Sequence, residues 1–182
     1  ELAKSVDVVL TCLPTSEDLR SLLFGEQEMA LALETGTMLI DMTTGDPGIT
    51  RELASKLAVD GIDLIDAPVS GGETGAISGT LTIMVGGPQA VFEQCRDVLA
   101  VMGDNLIHAG DEVGMGGKVK LVNNMIAGIS MVATSEAFLT GLKAGLSMQT
   151  MVDVVRTSSG GTWVLNNHFP NTVLKNHYEP GF

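Results

Sequence analysis

Short apolar runs alternate with helical patterns from residue 6 to residue 108, and few folds accommodate that order. Apolar runs occupy positions 6–13, 37–42 and 62–66, the first of them rich in β-branched residues, and helix start and stop signals separate them. Buried parallel strands have this composition, because helices cover both faces of a parallel sheet. Strands that alternate with helices therefore predict a parallel sheet wound with right-handed crossovers.

The strand pattern ends near residue 111. Two further strands are predicted at 81–85 and 105–108, on either side of an amphipathic helix at 90–102. Beyond residue 111, apolar residues recur at helical spacing through residue 146 and again over 148–155. We therefore expect an α/β part over residues 1–111 and an all-helical part over 112–182, with a long and mostly buried helix at 119–146.

Charge and cysteine content restrict the partners and the compartment. The formal net charge of -12 argues against a nucleic-acid partner, because phosphates require a basic surface. No basic-then-apolar leader opens the chain, and no uninterrupted apolar stretch is long enough to span a membrane. Cys12 and Cys95 lie in apolar surroundings, which indicates buried thiols rather than a disulfide. The sequence predicts a cytoplasmic protein, or one of the mitochondrial matrix if a targeting segment is missing.

Ligands of parallel α/β sheets gather at the carboxyl ends of the strands. Three predicted strands end in polar or proline-bearing segments, namely Leu13-Pro14, Thr43-Thr44 and Ala67-Pro68-Val69-Ser70. After the third strand, Ser70, Gly71 and Gly72 offer a hydroxyl and bare backbone amides that can form a nest for a carboxylate or phosphate. An ordinary glycine-rich turn is the alternative.

A glycine-rich segment at 114–117 opens the long apolar helix, and two lysines and two asparagines follow it. Lys120 and Asn124 are four residues apart and would share one face of that helix. Burying an amine or an amide without a partner is costly, and an acidic protein that binds an anion must concentrate its few cations at the site. The alternative interpretation of Lys120 is a surface charge at a solvated helix end, and for Lys118 this is the preferred interpretation. The glycines would let another backbone or a ligand approach the helix start.

The sequence does not predict a metal site. The histidines, His108, His168 and His177, show no metal-ligand spacing with one another or with the two cysteines. No Gly-x-Ser-x-Gly elbow of a serine hydrolase occurs either.

Three segments together resemble the β-hydroxyacid dehydrogenase family. They are Asp-Ala-Pro-Val-Ser-Gly-Gly at 66–72, Gly-Thr-Leu-Thr-Ile-Met-Val-Gly-Gly at 79–87, and Gly-x-Gly-x-x-x-Lys-x-x-x-Asn at 114–124. Residues 158–163 and 178–182 are similar to later family segments. The resemblance implies a partial Rossmann-type parallel sheet followed by an all-α domain.

The same resemblance implies an oxidoreductase that transfers a hydride between NAD or NADP and a small 3-hydroxy acid or its semialdehyde, such as 3-hydroxyisobutyrate or tartronate semialdehyde. It places the catalytic lysine on Lys120 and its asparagine partner on Asn124. The substrate carboxylate is assigned to Ser70, Gly71 and Gly72. The nicotinamide side of the cofactor is assigned to Leu13, Pro14 and Thr44. A homo-oligomer through the helical part is also implied, and residues 126–146 are apolar on nearly every side.

The chain also departs from that family. No Gly-x-Gly-x-x-Gly turn follows a strand, so we expect the chain to be the middle of a longer protein and inactive by itself. A 6-phosphogluconate-type dehydrogenase is one alternative, although it would call for a histidine where Asn123 stands, and a basic phosphate clamp. A non-catalytic dehydrogenase-like interaction module is the other, although loss of the lysine would mark such a module and Lys120 is present.

Overall fold

The computed structural model describes residues 2–26 and 28–179. Two compact units divide the chain between Leu121 and Val122. Of the segment 178–182 that is similar to the family, residues 180–182 lie outside the described part.

The first unit is built on one mixed sheet, whose strands in the described part of the chain are β1 Val8–Thr11, β2 Met38–Asp41, β3 Asp63–Asp66, β4 Val69–Ser70, β5 Thr82–Gly86 and β6 Asn105–Gly110. Strands β1, β2 and β3 are parallel neighbours, and β5 and β6 are parallel to each other. Strand β5 runs antiparallel to both β3 and β4. The predicted α/β fold with its partial Rossmann-type sheet is confirmed. The antiparallel step and the two-residue β4 were not predicted.

The α-helices of the described chain are α1 Ser16–Phe24, α2 Pro47–Leu57, α3 Gly72–Ser78, α4 Gln89–Ala100, α5 Met115–Lys143, α6 Met148–Val155 and α7 Phe169–Asn171. Short 3₁₀ turns lie at Leu2–Ser5, Met29–Ala32 and Ala58–Asp60, and a π turn at Val164–His168. Helix α5 begins in the first unit and continues into the second. Helix α3 stands where the sequence suggested a turn or an anion nest.

Local caps fix the helices that follow β1 and β2. Thr15 Oγ1 accepts a hydrogen bond of 3.2 Å from the Asp18 N–H at the start of α1. Asp46 Oδ1 accepts from the Gly48 and Ile49 N–H groups at the start of α2. Each cap satisfies N–H groups that the helix itself leaves free. Both helices therefore begin directly at the carboxyl edge of the sheet.

Apolar side chains cover both faces of the sheet. Within β2, Leu39 contributes to a core with α1 and α2, and its neighbour Ile40 contributes to a core with α4. This double coverage explains why β2 is buried along its whole length. Cys95 is buried in the α4 core, and burial raises the pKa of its thiol to about 11. The prediction of two buried thiols is wrong for Cys12, which is exposed.

The second unit has its own small core. Phe138 of α5 packs with residues of α6, of the π turn and of α7, and its ring meets that of Phe169 edge to face at 5.3 Å. Most of α5 is uncovered, since Val122 is 54% exposed and Met125 61%. The prediction of a mostly buried helix is therefore wrong for this chain. An apolar pattern locates the helix but does not show what covers it.

Helix α5 has the length and composition of a membrane span, and it is the one such helix among the described residues. The expectation concerned an uninterrupted apolar stretch, and α5 passes this test although Asn123, Asn124 and Glu136 interrupt its apolar residues. A single helix of this kind is weak evidence for a membrane, because the test considers length and composition only.

Candidate active site

A polar row crosses the carboxyl edge of the sheet. Thr11 of β1 is paired with Asp41 of β2, Asp41 with Asp66 of β3, and Asp66 with Gly86 of β5. Residues paired in this way present their side chains on the same face of a sheet. Both aspartates are buried, Asp41 at 1% and Asp66 at 3% exposure. Two carboxyl groups therefore lie beneath the loops that the sequence assigned to ligands.

Asp41 holds the loops that follow β1 and β2. Its Oδ1 accepts hydrogen bonds from Thr11 Oγ1 at 2.9 Å and from the Thr43 N–H at 3.2 Å. Thr43 Oγ1 in turn accepts from the Leu13 N–H at 3.0 Å. Burial raises the pKa of the Asp41 carboxyl, although the bonds from Thr43 and Thr11 oppose that shift. The backbone at Leu13 is thus tied to the segment that carries Thr44.

Asp66 caps α5 from within the sheet. The Gly114 N–H donates to its Oδ1 and the Gly117 N–H to its Oδ2, both at 2.6 Å. Burial raises the pKa of the Asp66 carboxyl, and the two amide bonds oppose that shift. A carboxylate at this end of a helix also meets the positive end of the helix dipole.

Glycines make this close approach of helix and sheet feasible. A methyl group on Gly86 would clash with Asp66 Oδ1 and would stand 2.6 Å from the Gly116 N. A methyl group on Gly116 would clash with the carbonyl oxygen of Met84. Gly114 has a φ of +94°, a conformation that favours glycine. The sequence left open what approaches the glycine-rich segment, and in the structure it is the backbone of β5.

Lys120 is buried near the start of α5. It is 9% exposed, and among residues 2–26 and 28–179 its amine has no hydrogen bond and no ion pair. Burial lowers the pKa of the amine. Lys118 is exposed, as expected, and its Nζ lies 3.3 Å from Met115 Sδ. A lowered pKa makes the neutral form of the amine more accessible, and such an amine can accept and return a proton.

Asn124 follows one helical turn after Lys120 on α5, beyond the division between the two units. Its side chain is exposed, and its Oδ1 lies 3.4 Å from Asn123 Nδ2. It is therefore open to solvent in this chain.

The predicted carboxylate-binding residues surround the start of α3. Ser70 lies in β4 opposite Thr82, Gly71 precedes α3, and Gly72 is its first residue. The φ angles of Gly71 and Gly72 are +139° and +61°. A methyl group on Gly72 would meet no atom within 4 Å, so the space beside it is open. Nothing in the geometry tests the assignment, which stays a prediction.

Two cavities border the predicted cofactor residues. One of about 370 Å³ is lined by Thr15, Ser16, Thr44, Gly45, Pro47 and Leu121, among others. Leu121 directly follows Lys120, so α5 forms part of the wall of this cavity within the first unit. The other cavity, of about 530 Å³, is lined in part by Leu13. Pro14 is exposed between β1 and α1.

Sequence reasoning did not single out the two buried aspartates. Asp41 and Asp66 each end a strand with the same tripeptide, Leu-Ile-Asp, at 39–41 and 64–66. An ionisable residue that closes an apolar strand is a signal that could have found both. Within the described ranges, no group of three His, Cys, Asp or Glu side chains is placed to hold a metal ion.

Two family models match the chain over most of its length. Residues 1–110 match the NAD binding domain of 6-phosphogluconate dehydrogenase. Residues 114–182 match the NAD-binding domain of NADP-dependent 3-hydroxyisobutyrate dehydrogenase.

Individual relatives show the same relationship. The chain is 37% identical over its whole length to 2-(hydroxymethyl)glutarate dehydrogenase of Eubacterium barkeri and covers 60% of that protein. It is 39% identical to 3-hydroxyisobutyrate dehydrogenase of Pseudomonas aeruginosa, again over its whole length, and covers 63% of it. A solved structure of 3-hydroxyisobutyrate dehydrogenase of Mycobacterium tuberculosis with L-serine superposes with a TM-score of 0.88 at 34% identity, over 99% of this chain and 62% of that one. The chain thus spans about three fifths of the length of these relatives.

Proposed function

Because the chain belongs to the β-hydroxyacid dehydrogenase family, we propose that the protein transfers a hydride between NAD or NADP and a small 3-hydroxy acid or its semialdehyde. The observation that carries this proposal is the buried, unpartnered amine of Lys120 at the start of α5, as far as the described residues go. The names of the relatives support the substrate class, since each denotes a dehydrogenase of a hydroxy acid.

Lys120 moves the proton in this proposal. In the oxidative direction its neutral amine accepts the hydroxyl proton of the substrate, and in the reductive direction its ammonium returns that proton. The lowered pKa matters, because it lies closer to physiological pH and so increases the neutral fraction of the amine there. The nicotinamide cofactor, when bound, supplies or accepts the hydride. Asn124 is assigned to orient the hydroxyl or the amine.

Two observations support a nicotinamide-side site in this chain. Thr44 and Leu121 line one cavity, and the hydrogen bonds of Asp41 and Thr43 fix the loop that carries Leu13 and Pro14. Gly-x-Gly-x-x-Gly does not occur in the 182 residues, and this turn is what holds the pyrophosphate in Rossmann domains. We therefore assign only the nicotinamide-side contacts to this chain.

The substrate carboxylate is assigned to the backbone amides of Gly71 and Gly72 and to the Ser70 hydroxyl. Open space beside Gly72 supports this assignment, because an anion can approach the amides there. The charge of the chain adds an argument. An acidic protein that binds an acid needs local donors, and free amides at a helix start provide them.

A homo-oligomer through α5 is part of the proposal. The exposed apolar residues Val122, Met125, Ile129 and Val132 lie on this helix, and such a surface is unusual on a monomeric soluble protein. Light scattering at micromolar concentration tests this point, and a monodisperse monomer would contradict it. The proposed compartment is the cytoplasm, with the mitochondrial matrix as the alternative, and cell fractionation tests it.

A 6-phosphogluconate-type dehydrogenase remains the second candidate, because the first family model bears that description. Asn123 argues against it, since the resemblance called for a histidine there. The match of residues 114–182 to a 3-hydroxyisobutyrate dehydrogenase model also favours the first candidate. The presence of Lys120 argues against a non-catalytic module.

Substitution of Lys120 in the full-length protein tests the function. A panel of 3-hydroxy acids, semialdehydes and 6-phosphogluconate first identifies the best substrate. We then expect Lys120→Ala to lower kcat by at least ~10²-fold, the scale of acid–base catalysis. Lys118→Ala is the matched control, because Lys118 lies two residues away and is exposed. Near-normal turnover of the Lys120 variant would refute the assignment.

A further inference from the structure

The carboxylate of Asp66 joins the start of α5 to the sheet. Its two oxygens accept from the Gly114 and Gly117 N–H groups, 48 and 51 positions further along the chain. The caps of α1 and α2 are different, because Thr15 and Asp46 directly precede the helices that they cap. A local cap fixes only the first turn of its helix, whereas Asp66 fixes where the helix lies on β3.

The surroundings admit few other residues at position 66. Gly86 and Gly116 lie so close that a methyl group on either would clash with the carboxylate or with β5. An asparagine fits, but it offers one acceptor oxygen where the aspartate offers two. Two backbone donors therefore require an aspartate.

Lys120 lies three residues after Gly117, less than one helical turn from this cap. The amine has no hydrogen-bonding partner among the described residues, so its position depends on the backbone of α5 and on the packing around its buried side chain. A misplacement of about 1 Å at a reacting group can cost about 10²-fold in rate. The cap is therefore close enough to Lys120 for its loss to reach the proton-transfer step.

We propose that Asp66 is a positioning residue for Lys120, which it holds in place through the first turn of α5. The proposal rests on the proposed function, in which Lys120 transfers the proton. Asp66 itself does not exchange protons with the substrate, because both of its oxygens are occupied by amides and the side chain is buried.

Single-turnover kinetics of Asp66→Asn in the full-length protein test this proposal. With enzyme in excess, the rate constant of the change in cofactor absorbance reports the chemical step, and its amplitude reports the fraction of active enzyme. We expect the rate constant to fall about 10- to 100-fold, with the KM for the cofactor nearly unchanged. Asp63→Asn is the matched control, because Asp63 begins the same strand and is exposed. A purely structural role would lower the amplitude and leave the rate constant unchanged, which would overturn the proposal.

A second variant keeps the test decisive if Asp66→Asn folds poorly. Gly116→Ala displaces the same helix start through its clash with Met84 and alters no charge. We expect it to lower the rate constant as well, and a normal rate constant in this variant would also overturn the proposal.

Lys120→Ala, measured in parallel, separates the positioning role from the proposed function. If that variant keeps the wild-type rate constant, the proposed function fails. If it is slow and Asp66→Asn is fast, only the positioning role fails.

Discussion

Asparagine should have opposite effects at the two buried aspartates. Asp66 faces two backbone N–H groups, one at each oxygen, and such groups can only donate. In Asp66→Asn, the new NH₂ group meets one of these donors, and one buried N–H loses its acceptor. Asp41 accepts from the hydroxyl of Thr11 and the N–H of Thr43 at a single oxygen, and the Thr43 hydroxyl also lies against its carboxyl. The amide oxygen of Asp41→Asn can accept both bonds, a hydroxyl can accept from the new NH₂ group, and the buried charge at this position is removed.

The expected sizes follow from these contacts. An unsatisfied buried donor costs about 1–3 kcal/mol. With about 2–4 °C per kcal/mol for a domain of 150–250 residues, Asp66→Asn should lower the melting temperature by at most about 12 °C, because removal of the buried carboxylate offsets part of the loss. Asp41→Asn should lower the free energy of unfolding by less than about 1 kcal/mol or should raise it, because it removes the penalty for burying a carboxylate.

The pH dependence gives the second half of this prediction. Burial raises the pKa of Asp41 in the folded protein. A raised pKa contributes stability that is fully present below the unfolded pKa of about 3.9 and is lost as the pH rises through the folded pKa. Asp41→Asn should therefore gain most over the wild type near neutral pH and lose this advantage in acid.

Differential scanning calorimetry between pH 4 and pH 8 measures both effects. Equal losses in the two variants would refute the reasoning from donors and acceptors. An advantage of Asp41→Asn that does not change with pH would refute the role of the buried charge.

Three further outcomes are expected. The value of kcat/KM for oxidation should rise with pH through the lowered pKa of Lys120, and the value for reduction should fall; a flat profile in both directions would contradict this. Gly72→Val should raise the KM for the acid and leave the KM for the cofactor unchanged. Gly36→Val is the control and should leave both KM values unchanged, because Gly36 also has a positive φ and open space around it. Thermal melting should show that Gly116→Ala is destabilised by about 1–3 kcal/mol through overpacking. Gly128→Ala should be as stable as the wild type or more stable, because its methyl group meets no atom within 4 Å.

The sequence predicts the layered fold well, because its signals are local. Apolar runs, Thr15 as a cap and Pro47 at a helix start each act within a few residues. Strand β4 and helix α3 escaped prediction for the same reason. The strand has two residues, and the glycines at 71 and 72 have the composition of a turn.

The candidate site is only partly accessible to such reasoning. The spacing of residues 114–124 led to Lys120, and the structure adds its burial. The cap from Asp66 could not be predicted, since it joins residues 48 and 51 positions apart. The exposure of α5 was mispredicted because apolar periodicity reports that a face needs cover and not which surface supplies it.

The attachment of α5 at Asp66 also has a mechanical consequence. The helix begins at Met115, and at a rise of about 1.5 Å per residue Lys120 lies about 4.5 Å beyond Gly117. If the start of α5 tilts by about 5° about the capped turn, Lys120 moves by only about 0.4 Å. We therefore expect the amine to stay nearly still when the direction of this helix start changes.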